Sequence, residues 1–146
     1  MAPLWVSYTA NLGTLLRTCD AVGACMAVPS SPHYRRALQQ GDTLGHRHRP
    51  HIHWATPNRD RWVEGMAAYG WTIVAVEVSE DAVPLPRVLP TRQPTVVLLG
   101  HEHEGVPDAW VAKADQRVTI PMTGVGASLN VAVAGSLVLY RLAGLA

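Results

Sequence analysis

Residues 120–142 read IPMTGVGASLNVAVAGSLVLYRL and place a loop with two glycines in front of a long apolar run. An amide side chain, Asn130, stands just inside that run, where the pattern favours a hydrophobic residue. The free N–H groups at the start of the following helix attract carboxylates or phosphates. We expect Ser128 to cap this helix and Asn130, in its first turn, to face a ligand. The alternative is an amide satisfied by neighbouring backbone.

Outward from this segment, short β-rich runs alternate with segments of helical period. The first strand is expected within PLWVSYT, residues 3–9, and the Pro-rich segment 84–94 is expected to be an irregular loop. TIVAVEV (72–78) and TVVLLG (95–100) are continuous apolar runs, as in strands that are buried on two faces. The sequence therefore predicts a single α/β domain over residues 1–146, with a mostly parallel sheet covered by helices on both faces.

Composition narrows the class of protein. The chain has 146 residues, 48% of them hydrophobic, which suffices for one domain with a real core. Cys19 and Cys25 fit neither a disulfide framework nor a zinc spacing, so we expect core thiols in a reducing cytoplasm. Residues 1–16 do not have the pattern of a signal peptide. Asn130 and Arg141 interrupt the final apolar run, which favours a buried helix over a membrane anchor.

Basic residues are concentrated in the region from His33 to Arg61. The formal net charge is only +1, but this region carries six arginines: Arg35, Arg36, Arg47, Arg49, Arg59 and Arg61. Planar guanidinium groups suit bidentate contact with phosphate, and a GC-rich genome is the alternative reason for the preference for arginine. For the histidine-rich segment 46–53 we expect a flexible basic surface first, RNA contact second and metal binding last, since arginines between the ligands oppose a divalent cation.

Two further segments carry polar residues at positions suited to a site. In NLGTLLR (11–17), Asn11 is a plausible N-cap and Arg17 lies six residues further, within two turns of the same helix. In GHEHEG (100–105), Glu102 follows a buried strand and can accept hydrogen bonds. The alternatives are a capped surface helix and a plain tight turn, while a metal site lacks the helical spacing of a zinc motif. Ligands of open α/β sheets bind at the carboxyl ends of strands, where these loops should converge.

Three segments together resemble the motifs of the SpoU (TrmH-type) RNA ribose methyltransferases of the SPOUT superfamily: NLGTLLRTCDAVGA, LLGHEHEGVPDAW and VTIPMTGVGASLNVAVAGSLVLY. Their order and spacing agree with the family over nearly the whole chain. The resemblance implies a deep trefoil knot near the C-terminus, a homodimer, and metal-free transfer of a methyl group from S-adenosylmethionine to a ribose 2′-hydroxyl of tRNA or rRNA. The chain departs from the family at His101, where relatives usually have Asn.

The resemblance also implies the site residues. The methyl donor would be held by Val76, Glu77, Leu99, Gly100, Ile120, Met122, Ser128 and Leu129. The catalytic residues would be Asn11, Arg17, Glu102, Ser128 and Asn130. The family assigns proton removal to the residue at Arg17. A guanidinium with a pKa above about 12 is a poor base, so Arg17 is also a candidate clamp for a phosphate.

Two expectations concern RNA recognition and the rival classes. We expect no separate RNA-binding domain, so that recognition falls to the arginines between residues 33 and 61. A non-catalytic RNA-binding or assembly protein on the same fold is the alternative function. An ordinary nucleotide-binding protein has no support, because neither GxGxxG nor a P-loop lysine motif is present.

Overall fold

The computed structural model describes residues 1–41, 50–56 and 58–146. Within these ranges the α-helices are α1 (Thr9–Val22), α2 (Pro32–Gly41), α3 (Arg59–Ala68), α4 (Asp108–Lys113) and α5 (Val131–Leu142). The strands are β1 (Met26–Pro29), β2 (Ile52–Ala55), β3 (Thr72–Val76), β4 (Val83–Pro84), β5 (Thr95–Leu98) and β6 (Gln116–Thr119). Most of the elements predicted from the sequence are therefore present.

The strands form two parallel sheets, of order β1-β2 and β4-β6-β3-β5. The N-terminal residues connect them: Ala27 N–H donates to the Met1 carbonyl, and Ala2 exchanges bonds with Val97 and Leu99 on β5 and just after it. The predicted strand over residues 3–9 is wrong, since only Ala2 forms a bridge. Pro3 has no N–H to donate to a ladder, so the strand stops there.

Both faces of the larger sheet are apolar, and successive side chains alternate between two cores. Val74 and Val97 pack in the core that also contains residues of α1, α2 and α5. Ile73 and Leu98 face the other core, against residues of α3 and α4 such as Trp110. The predicted α/β class, with a parallel sheet and helices on both faces, is confirmed. This alternation explains why the strands read as continuous hydrophobic runs.

The C-terminal helix α5 buries one face only. Its buried side comprises Ala132, Gly135, Val138, Leu139 and Leu142, while Val133 and Leu137 are 49% and 42% exposed. Arg141 donates to the carbonyls of Val88 and Pro86, so it fixes the Pro-rich segment 84–94. This segment begins with the last residue of β4 and a short 3-10 helix (Leu85–Arg87), so it is not wholly irregular. Among the described residues, no helix combines the length and the hydrophobicity that a membrane span requires.

The two cysteines differ in environment. Cys19 is buried on α1, and burial raises the pKa of its thiol to about 11. Cys25 is exposed, so the expectation of two core thiols is wrong for it. Cys25 lies in the turn between α1 and β1, where its carbonyl accepts a bond from the Met1 amino group while its side chain faces solvent.

Helices α1 and α2 cross at a pair of glycines. A Cβ atom on Gly13 would lie 2.9 Å from the Cα atom of Gly41, which is backbone and cannot rotate away. Gly13→Ala should therefore force the helices apart and lower the free energy of unfolding by roughly 1–3 kcal/mol, as overpacking does. Gly65 on α3 is the matched control, because a Cβ there meets nothing within 4 Å. Gly65→Ala should raise stability by about 0.4–1 kcal/mol. Urea unfolding of both variants tests this, and equal effects would contradict it.

Candidate active site

The carboxyl ends of β3, β5 and β6 lie side by side at one edge of the sheet and open into a cleft. All eight residues predicted to hold the methyl donor line it: Val76, Glu77, Leu99, Gly100, Ile120, Met122, Ser128 and Leu129. Glu102, Val78, Val131 and Ala134 complete much of the wall. They converge because parallel strands end at the same edge of a sheet.

The loop 100–105 is stabilised by hydrogen bonds between its own ends and by hydrogen bonds that Glu77 accepts at the end of β3. His101 and Gly105 exchange two backbone hydrogen bonds of 3.0 and 2.9 Å, and Gly105 has φ +72°, the left-handed region that glycine adopts without strain. Glu77, directly after β3, accepts 2.9 Å bonds from the N–H groups of Val106 and Val78. Both carboxylate oxygens of Glu77 are thus used by the backbone, and the base of the loop is fixed beside the cleft.

Glu102 projects from this loop to the start of α1. Its carboxylate accepts bonds from the N–H groups of Ser7 (3.0 Å) and Tyr8 (2.9 Å) and from Asn11 Nδ2 (2.8 Å). Burial by itself would raise the pKa of Glu102, but these donors outweigh it and hold the pKa below its ordinary value. The site therefore contains a fixed negative charge that is kept ionised.

Asn130 links the start of α5 to this carboxylate. Its Oδ1 accepts the N–H groups of Ala132 (2.9 Å) and Val133 (3.2 Å), so Asn130, and not Ser128, is the N-cap. Its Nδ2 donates to Asn11 Oδ1 at 3.0 Å. The expected position in the first turn is wrong by one residue. Asn130 is exposed, yet both its Oδ1 and its Nδ2 form hydrogen bonds.

Asn11 is the centre of the arrangement, although it does not cap α1 as the sequence suggested. The N-cap is Tyr8, and Asn11 lies buried in the first turn, only 7% exposed. It accepts from Asn130 and donates to Glu102. Three of the predicted catalytic residues thus form one continuous hydrogen-bonded chain, which we call the Asn130–Asn11–Glu102 chain.

Ser128 and Arg17 lie outside that chain. Ser128 is exposed on the wall of the cleft. Arg17 is exposed on α1 and lines a second groove, together with Gly13, Thr14 and Gly41. Six residues along a helix correspond to about 9 Å and one and two-thirds turns, which turns the Arg17 side chain away from the direction of Asn11. The described structure therefore does not bring Arg17 and the cleft together.

The structure describes four of the six arginines that are expected to bind RNA. Arg35 and Arg36 are exposed on α2, and the Arg35 guanidinium lies 4.5 Å from the ring of Trp54 while donating to Ser30. Arg59 and Arg61 are in the first turn of α3. Arg47 and Arg49 lie outside the described residues, as does the first half (46–49) of the histidine-rich segment 46–53. Within the described ranges, no group of three His, Cys, Asp or Glu side chains is placed to hold a metal.

Sequence reasoning missed the donors at the start of α1. Ser7 and Tyr8 contribute backbone N–H groups to Glu102, and residue type carries no signal for such a contact. Val131 and Ala134 line the cleft because they occupy the first turn of α5, and the helical period of the run after Asn130 could have indicated them.

Comparisons with known proteins agree with this geometry. Residues 5–140 match the SpoU rRNA Methylase family. The chain is 33% identical over 135 residues to the tRNA (guanosine(18)-2′-O)-methyltransferase of Escherichia coli K12, covering 90% of this chain and 56% of that protein. The Thermus thermophilus enzyme of the same name is 35% identical over 131 residues, with 90% and 66% covered. An AdoMet-bound rRNA methyltransferase structure from Sinorhizobium meliloti superposes with a TM-score of 0.79 at 26% identity, covering 97% of this chain and 54% of that one. The chain thus spans roughly half to two thirds of these relatives.

The Asn130–Asn11–Glu102 chain predicts that a negative charge destabilises the protein more at the N-cap of α5 than at the N-cap of α3. Asn130→Asp keeps both cap bonds but sets a carboxylate against Asn11 Oδ1, and turning the Asn11 amide over only moves the clash to Glu102. We expect the free energy of unfolding to fall by roughly 1–3 kcal/mol. Asn58 caps α3 through Arg61 N–H and its amide donates to no described residue. Asn58→Asp should change stability by less than about 1 kcal/mol. Chemical denaturation compares the two variants. The prediction is contradicted if Asn130→Asp changes the free energy of unfolding as little as Asn58→Asp does.

The pKa of Glu102 predicts a pH dependence. Because the folded pKa lies below the ordinary value of 4.5, ionised Glu102 contributes stability at pH values above 4.5, and this stability is lost as the pH falls below that value. The stability difference between wild type and Glu102→Gln should therefore shrink as the pH drops from about 6 to about 3. Glu104→Gln, at an exposed neighbour, is the control and should show no such trend. A difference independent of pH would contradict the assignment.

Proposed function

Since the chain belongs to the SpoU rRNA Methylase family, we propose that it transfers a methyl group from S-adenosylmethionine to a ribose 2′-hydroxyl of tRNA or rRNA. The observation that carries the proposal is the position of the Asn130–Asn11–Glu102 chain, whose carboxylate lies on the wall of the cleft. A cleft for the donor and polar groups for the acceptor thus lie next to each other at one edge of the sheet.

The residues of the cleft fit S-adenosylmethionine. Apolar side chains of Leu99, Ile120 and Leu129 offer surfaces for the adenine ring, and strand-end backbone is available to bond its edge. The carboxylates of Glu77 and Glu102 place negative charge beside a ligand that is positive at its sulfonium and ammonium groups. When bound, this donor supplies an electrophilic methyl group. The eight cleft residues named from the sequence would hold it.

On the acceptor side, the chain's residues must align a ribose and remove a proton. The 2′-oxygen forms a bond to the methyl carbon as the carbon–sulfur bond breaks, and the hydroxyl proton leaves at the same time. Glu102 and the amide of Asn11 are held rigidly by their bonds, so they can orient the sugar without reorganising. Ser128 adds a hydroxyl to the lining of the cleft.

Arg17 is proposed to bind the phosphate next to the acceptor ribose. Its guanidinium stays charged, so it stabilises the developing negative oxygen, and the proton passes to a phosphate oxygen or to water. Within one chain Arg17 lines a different groove from Glu102. A ribose-phosphate reaching both requires the two grooves to face a common space, which a second copy can provide.

A homodimer is the proposed assembly. The loop 121–130 is exposed throughout and carries Met122, Val125 and Leu129, next to the exposed Val133 and Leu137 of α5. Exposed apolar groups in one neighbourhood are typical of an interface. We also propose that the C-terminal loops form the deep trefoil knot of the family, and that RNA binds along Arg35, Arg36, Arg59 and Arg61.

Methyl transfer tests the proposal directly. Folded protein should incorporate labelled methyl groups from S-adenosylmethionine into bulk tRNA or rRNA, with 2′-O-methylnucleosides as the product. It should also give calorimetric heat with S-adenosylhomocysteine. A folded protein that neither binds the product nor labels RNA would overturn the function and leave the non-catalytic alternative.

Arg17 gives a sharper prediction. Arg17→Lys keeps the charge but loses the planar fork, so kcat should fall by at least roughly tenfold while donor binding is unchanged. Arg92 is an exposed arginine in the loop before β5, and Arg92→Lys is the control, expected to match wild type. Turnover by Arg17→Lys at the wild-type rate would exclude the phosphate clamp.

A further inference from the structure

Two aromatic side chains stand beside Glu102 without a part in the proposed reaction. Tyr8 is 52% exposed and His103 is exposed, and they meet through a 2.8 Å hydrogen bond between the Tyr8 hydroxyl and His103 Nε2. Their ring centroids are 6.0 Å apart and the ring planes are inclined by 77°. Because the contact joins the edges of the rings, it leaves their faces uncovered by each other.

Backbone contacts hold both residues beside Glu102. The Tyr8 N–H donates to Glu102 Oε1, and His103 directly follows Glu102 in the loop. His103 N–H in turn donates to His101 Nδ1 at 3.2 Å, and the His103 side chain lines the mouth of the cleft. An aromatic surface therefore stands at the point where a ribose bound by Glu102 would carry its base.

The loop does not need this pair to stay on α1. Glu102 already attaches it through the N–H groups of Ser7 and Tyr8 and the amide of Asn11. An exposed hydrogen bond adds little to such an attachment. Exposed aromatic rings at a nucleic-acid site have a direct use, because unpaired bases stack on them.

We propose that Tyr8 and His103 form the platform on which the base of the target nucleotide stacks. This inference rests on the proposed function and specifies its substrate: an unpaired nucleotide, since the base must leave a helix to lie on a ring. C1′ of the ribose, which carries the base, is bonded to C2′, which carries the reactive hydroxyl. A base stacked here therefore sets its own sugar against Glu102.

Three variants separate stacking from a structural bond. Tyr8→Phe keeps the ring and loses the bond to His103, while Tyr8→Leu loses the ring face. Both keep the backbone N–H to Glu102. Tyr69→Leu is the matched control, since Tyr69 is 86% exposed at the end of α3. The readouts are the Kd for poly(U) at fixed salt, the KM and kcat for bulk tRNA and rRNA, and calorimetric heat with S-adenosylhomocysteine.

The platform predicts that Tyr8→Leu raises the Kd for poly(U) and the RNA KM roughly tenfold, while Tyr8→Phe stays within about twofold of wild type. Product binding and the Tyr69→Leu control should be unchanged. Equal losses in Phe and Leu, or no loss in either, would overturn the platform. A Tyr8→Leu variant that sediments as a smaller species than wild type would also overturn it, by placing Tyr8 in a subunit interface.

The two proposals fail differently. Wild type that methylates RNA, with Tyr8→Leu at the same KM, removes the platform and leaves the function. Wild type that transfers no methyl group, with Tyr8→Leu still weakening poly(U) binding, removes the function and leaves the stacking site.

Discussion

The site depends on a chain of hydrogen bonds that can run in one direction only. Asn130 uses its carbonyl oxygen on the free N–H groups of α5, so its amide nitrogen must face Asn11. Asn11 must then accept with its oxygen and donate with its nitrogen to Glu102. The last member has to be an ionised acceptor, and Glu102 is held in that form. The N-termini of α1 and α5 and the loop 100–105 are thereby held together by side-chain hydrogen bonds that all donate in the same direction.

The sheet beneath the Asn130–Asn11–Glu102 chain is packed on both faces. Residues with alternating side chains in two cores hold β3, β5 and β6 parallel, so the loops after them open at one edge. Glu77 fixes the base of one loop through Val106, and Asn130 fixes the end of another through Asn11. These hydrogen bonds fix the positions of the loops that form the cleft. A reaction that depends on the alignment of its reacting atoms requires loops fixed in this way.

Among the described residues, the segment 121–129 and the outer face of α5 are exposed. Val125, Leu129 and Val133 are exposed there, against the usual preference for burial of such side chains. The same segment supplies Met122, Ser128 and Leu129 to the cleft. In the proposed homodimer, covering this face would order one wall of the donor site, so assembly and cofactor binding would be coupled.

The resemblance to the SpoU family named the residues of the donor site, and the sequence pattern by itself determined the α/β order, the buried strands and the loops that follow them. It could do so because apolar runs mark strands, and a residue that follows a parallel strand lies at the shared edge. Only the tertiary structure decided the partners. Tyr8 and not Asn11 is the N-cap of α1, and Asn130 and not Ser128 is that of α5. Glu102, 91 residues from Asn11 in the sequence, accepts the N–H of Tyr8 and the amide of Asn11. A cap is selected by which backbone donors remain free, and that depends on contacts that local pattern does not contain.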